Sequence, residues 1–204
     1  TEPRPALLMR VMKGSPVNPA LPARGSTYAM TDSGYYIARS GADANARQLT
    51  FDAGPTGGKG IIGWYVPPWM AQKYPDITDW KNLNKYASLF KTSESGGKGQ
   101  LLDGDPSYVT NDKALVKNLK LNYKVVVGGS EAALIQSFKS AEKNKTPLLA
   151  YFYEPQWFFS EMKLVKVNLP KYTPGCDSDP AKVACDYPPY HLNKLISKKF
   201  ADSG

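Results

Sequence analysis

From Leu49 onward, apolar and polar positions fall into blocks whose period alternates between that of a helix and that of a strand. Asp79 can cap a helix whose Trp80, Leu83, Ala87 and Phe90 share one face and which stops before Ser95-Gly96-Gly97. After Leu101-Leu102 and an Asp103-Gly104-Asp105-Pro106 turn, Thr110 or Asn111 opens a second helix that buries Leu115, Val116 and Leu119. The β-branched run Tyr123–Val127 reads as a buried strand ended by Gly128-Gly129. Ser130 then caps a third helix with Leu134, Ile135, Phe138 and Ala141 inward, and Thr146-Pro147 leads into an apolar strand that ends at Tyr153. Strand, helix and strand joined by short glycine-containing turns make a parallel βαβ unit. The fold class expected is therefore α/β, a central and mainly parallel sheet flanked by helices. Ligands in such sheets collect at the carboxyl ends of the strands, where Tyr153 stands.

The first 48 residues have a different character. They hold all five arginines (Arg4, Arg10, Arg24, Arg39 and Arg47) and one lysine, Lys13, whereas the remainder uses lysine alone. They are rich in Pro, Gly, Ala and Ser, with residues 6–12 and the Tyr35-Tyr36-Ile37 run as the pieces expected to be structured. The sequence thus divides into a leading segment, 1–48, an α/β lobe, 49–165, and a return segment, 166–204, closed by a helix around His191.

Composition adds class limits. A hydrophobic content of 42% is too high for a disordered chain, and 204 residues suffice for a real core. No apolar run approaches a membrane span, and no secretion signal is expected within the sequence. The net charge of +8 is spread as +3 over residues 1–48, +2 over 49–162 and +3 over 163–204, which leaves no basic stripe for nucleic acid. Cys176 and Cys185 lie in a loop of Pro, Gly, Asp and Ser, where a disulfide, two free thiols or half a metal site can be written. A zinc site of the usual kind cannot be completed with His191 as the one histidine, so the disulfide is favoured, and with it an oxidising, extracytoplasmic compartment. No cofactor or metal is implied.

Tyr153-Glu154-Pro155-Gln156-Trp157 closes the apolar strand with aromatics spaced to face a cleft. Ring faces carry negative quadrupole charge, so facing rings can box a cation too bulky to hydrogen-bond, such as a quaternary ammonium. An aromatic core edge is the plainer reading of the same five residues.

Several segments, in order, carry a resemblance: Asp52 to Gly57, Gly60-Ile61-Ile62-Gly63-Trp64-Tyr65-Val66-Pro67, Leu101 to Tyr108, Gly129-Ser130-Glu131, Tyr153 to Trp157, and Cys185-Asp186-Tyr187-Pro188. Together, over residues 49–204, they resemble the substrate-binding proteins of glycine betaine, proline betaine and choline ABC importers. The resemblance implies two α/β lobes that close on a ligand. The stretch matched is the second lobe, of the class II periplasmic-binding-protein type, and the start of the return to the first. It places a cage position on Tyr153, with Trp157 four residues on, and a second cage aromatic on Tyr108. It also places the backbone N–H groups of Val109 and Thr110 toward a ligand carboxylate at a helix start. Trp64 and Tyr65 either line the cleft or anchor the hinge; the rigid Pro67-Pro68 favours the anchor. Glu154, next to an inward Tyr153, should point away.

The function implied is an extracytoplasmic receptor, with lipid anchoring of the precursor one form of it, that captures a quaternary ammonium solute for an ABC importer permease. A regulatory or interaction module that reuses the lobe is the alternative, with a small-molecule hydrolase behind it. Carboxylate pairs such as Asp103 and Asp105, or Glu154 and Glu161, show no nucleophile or phosphate-loop motif beside them. Because the family draws aromatics from both lobes, this chain is expected to bind weakly alone. Self-association or lobe exchange through residues 1–48 is one route to completing the site.

Overall fold

The computed structural model describes residues 26–30, 36–40, 50–106, 108, 110–197 and 202. The chain forms two compact units, Thr1–Lys59 with Tyr190–Gly204, and Gly60–Pro189. These divisions fall at 59/60 and 189/190, whereas the sequence suggested 48/49 and 165/166. Residues 166–189 thus share a unit with the lobe.

In the first unit, β1 (Ser26–Met30) pairs antiparallel with β2 (Tyr36–Ser40). The long β3 (Thr50–Val66) begins here, and β8 (Tyr190–Ser197) pairs with it. The Thr56 hydroxyl donates to the Leu192 carbonyl at 2.9 Å. The helix expected at His191 is therefore a strand. Tyr190-His191-Leu192-Asn193 alternates apolar and polar, a period of two that the preceding proline pair masked. The 6–12 run lies outside the described residues.

The second unit is built on a sheet of order β5-β4-β6-β3-β7, with β4 at Gly99–Asp103, β5 at Tyr123–Val127, β6 at Ala150–Glu154 and β7 at Val165–Lys166. β4 is parallel to β5 and β6, while β3 runs antiparallel to β6 and β7, so four of the five strands share a direction. β5 is an edge strand. That explains why Val127 is 46% exposed and Lys124 faces solvent where a buried strand was expected.

α1 (Pro68–Lys73) opens on the proline pair. The helix expected after Asp79 is a chain of short turns: 3₁₀ at Trp80–Asn82, the single-turn α2 (Leu83–Tyr86), then 3₁₀ at Ala87–Phe90. Asp79 still caps it, accepting the Lys81 N–H at 3.0 Å. Asn84 pins the middle of the segment by bonding the Lys120 carbonyl and the Asn122 N–H. α3 (Asp112–Asn118) buries Leu115 and leaves Val116 and Leu119 half-buried. α4 (Glu131–Asn144) starts as expected, with Ser130 Oγ accepting the Ala133 N–H at 3.1 Å. It lays Leu134, Phe138 and Ala141 inward, and Phe138 meets Phe152 at 5.5 Å between ring centroids. The single-turn α5 (Phe158–Glu161) covers the same apolar face through Phe158.

Cys176 and Cys185 are disulfide-bonded, with Cα atoms 6.3 Å apart. Asn118 fastens this loop to α3 through the carbonyls of Ala181 and Val183. Free-thiol titration of the unfolded, unreduced protein should find none. Reduction should lower stability by about 2 to 3 kcal/mol, the chain-entropy value for so short a ring, and leave the far-UV signature of the sheet in place.

Candidate functional site

Alternation along β6 sorts its residues between two jobs. Phe152 is fully buried and packs on Phe138, Phe158 and Phe159. Tyr151 and Tyr153 fall on the opposite face, shared with Trp64 and Ile62, their register partners on β3. Tyr108 comes from the loop after β4 and closes a triangle with them. Ring centroids stand 5.8 Å (Tyr108 to Tyr151), 6.4 Å (Tyr108 to Tyr153) and 6.2 Å (Tyr151 to Tyr153) apart. Gly104 permits this approach: a Cβ there would lie 2.5 Å from the Tyr108 ring. Three aromatic rings thus converge at the carboxyl ends of two parallel strands.

Behind the rings lies a buried polar network. Asp112, the first residue of α3, is wholly buried. Its Oδ1 accepts the Trp64 indole N–H at 2.7 Å and also the Tyr187 hydroxyl. Tyr187 in turn accepts the Asn111 N–H at 3.0 Å. Asp103, ending β4, accepts the Gly104 N–H at 2.7 Å and the Thr110 hydroxyl at 3.0 Å. Burial, reinforced by the charge of Asp103, pushes Asp112 up to about 7, against the pull of its bonds to Tyr187 and Trp64. Burial also raises Asp103, and burial with the charge of Asp112 raises the Tyr187 hydroxyl well above the usual phenol.

The residues singled out in the sequence scatter around this centre. Tyr153 and Tyr108 meet as ring neighbours. Thr110 turns its hydroxyl to Asp103 and precedes the Asn111 cap of α3, the second of the two starts that the sequence offered. Val109 lies outside the described residues. Trp64 and Tyr65 are both fully buried: Trp64 supports Asp112, and Tyr65 packs edge-on against Phe159 on the other face. Trp157 is 56% exposed, set against Phe158 and beneath the Lys139 ammonium. Glu154 lies within 3.4 Å of the Tyr65 hydroxyl, and Glu161 pairs with Lys139 at 2.9 Å. Sequence reasoning missed Tyr151, Asp112 and Tyr187. Tyr151 had a signal, since it stands two residues before Tyr153 on a strand. No cluster of three metal-ligating side chains occurs among the described residues, and no described helix is long and apolar enough to cross a membrane.

A mostly parallel α/β lobe with an aromatic site at its strand ends defines a periplasmic-binding-protein-like module. The family model OpuAC, the substrate-binding domain of ABC-type glycine betaine transport systems, matches residues 31–204, and the chain belongs to that family. The match reaches back into the leading segment that the sequence left unassigned. The trimethylamine N-oxide-binding protein of Pelagibacter ubique (strain HTCC1062) is 28% identical over 142 residues, covering 66% of this chain and 45% of the relative. Among solved structures, the glycine betaine, L-proline-binding protein ProX of Borrelia burgdorferi superposes with a TM-score of 0.50 at 18% identity, covering 76% of this chain and 51% of that one. An ABC-transporter choline-binding protein in complex with choline gives 0.48 at 13% identity, covering 78% and 50%. The chain spans about half the length of these relatives.

Proposed function

We propose that this chain is an extracytoplasmic solute-binding lobe that captures a small quaternary ammonium solute, of the betaine, choline or trimethylamine N-oxide kind, for an ABC importer permease, and transforms nothing. The observation that carries this reading is the triangle of Tyr108, Tyr151 and Tyr153 at the strand ends of a betaine-transport family lobe. Three phenol faces offer negative quadrupole to a cation that has no N–H to donate. The disulfide agrees with an oxidising compartment. Val109 and Thr110 remain the proposed neighbours of a ligand carboxylate. Trp157 is proposed as an outer aromatic, and Trp64 and Tyr65 as supports. The matches lend no support to self-association or lobe exchange through residues 1–48.

Calorimetry against glycine betaine, proline betaine, carnitine, choline and trimethylamine N-oxide tests the reading, with binding of at least one of them expected. Tyr153→Leu should weaken the best ligand by about 1 to 2 kcal/mol, the range for a desolvated cation over a ring, and Tyr153→Trp should be tolerated. Unchanged affinity in folded Tyr153→Leu would return Tyr153 to a purely packing role. Turnover of any ligand during the titration, read by NMR, would sink the binding-only reading.

A further inference from the structure

Asp112 is saturated on one oxygen and bare on the other. Oδ1 takes two hydrogen bonds, whereas no donor among the described residues reaches Oδ2, although the side chain is fully buried. The groups around it are few. Asp103 faces it from the end of β4 with both of its own oxygens engaged, Tyr187 faces it from the return loop, Trp64 from β3, and Lys113 acts on Asp103 from the next position in α3. An unpartnered carboxylate oxygen beside a second buried carboxylate is a place where a proton is held readily, since two like charges in one dry pocket disfavour each other.

The same side chain stands close behind the ring triangle by two routes. Trp64, its indole donor, is the cross-strand partner of Tyr151. Tyr187, its phenol donor, interacts electrostatically with the Tyr151 hydroxyl. A charge gained or lost on Asp112 is therefore felt at the tyrosines through little water. We infer that Asp112 is a positioning residue whose charge sets the cation affinity of the tyrosine triangle, so that a quaternary ammonium ligand and a proton compete for this lobe. The inference rests on the proposed ligand site and adds its regulation. Burial brings the group to about 7, which places the competition in the neutral range. Linkage requires the converse as well: a bound cation expels the proton.

The test uses choline, whose charge is fixed across the range, with glycine betaine as second probe. Wild-type affinity should be about tenfold weaker at pH 5.5 than at pH 8.5, the order of effect of one unit charge acting through poorly hydrated surroundings. Calorimetry at pH 7 in two buffers of different ionisation enthalpy should show a fraction of a proton released per ligand bound, a reading that needs no variant. Asp112→Asn, which keeps the acceptor for Trp64 and Tyr187, should bind equally at both pH values and release no proton. Binding that does not vary with pH and exchanges no proton overturns the inference while the proposed function stands. A pH dependence that survives in Asp112→Asn belongs to another group and overturns it too. Failure of both probes to bind at both pH values sinks the proposed function and this inference with it.

Discussion

Raising the pH from 4 to 7.5 should cost the folded protein about 4 kcal/mol through Asp112, and Asp112→Asn should flatten that slope. Burial first, and then the charge of Asp103, hold this carboxyl at about 7, whereas in the unfolded chain it titrates near 4. Between those values the folded state keeps a proton that the unfolded state has released. The contribution is therefore complete below the unfolded value and is lost as pH rises through about 7. Roughly three pH units at about 1.4 kcal/mol each give the figure. Asp103, also raised by burial, adds in the same direction. Urea midpoints at four pH values, for wild type and variant, check it. An equal slope in Asp112→Asn would show that other groups produce it.

Phe152→Ala should cost about 3 to 5 kcal/mol, the range for a large aromatic removed from a packed core. Phe152 is fully buried and meets Phe138, Phe158 and Phe159 at centroid distances of 5.5, 6.0 and 5.8 Å. Its loss would open a cavity between α4, α5 and the sheet. Denaturation should show a lower midpoint at unchanged m-value. Tyr153→Leu, one residue on, should lower the midpoint less than Phe152→Ala, because Tyr153 is also buried and its ring stacks on Phe152 at 5.3 Å but leucine keeps much of its volume, and should act mainly on ligand affinity. Equal stability losses in the two variants would mean that β6 does not divide its faces in this way.

Local chemistry explains what could be read in the sequence. The Ser130 cap, the inward Leu134 and Phe138, and the strand ending at Tyr153 each depend on neighbours within a few residues. The segment after Asp79 showed a helical period, yet Asn84 and the bond of Tyr86 to Asp76 tie it into shorter turns, a tertiary effect that periodicity does not carry. Val127 looked buried because β-branched runs usually are, and only the sheet order reveals an edge. The site divides the same way. Tyr153 and Tyr108 were visible as aromatics at a strand end and a turn. Asp112 meets Trp64 across 48 positions and Tyr187 across 75, and no spacing rule joins residues so far apart.

The strict alternation of β6 also limits how this lobe can have evolved. One residue inserted or deleted between Ala150 and Tyr153 would carry phenylalanine to the ring face and tyrosines into the apolar layer, so both roles would fail together. A change in length should be tolerated better outside this strand, as in the loop closed by the Cys176–Cys185 disulfide. Substitution remains open at each site separately: ring for ring on one face, and apolar volume for apolar volume on the other. Exchange of one aromatic for another at Tyr153 is the change most readily absorbed, since any ring there can keep the stack on Phe152 at 5.3 Å that links the two faces of β6.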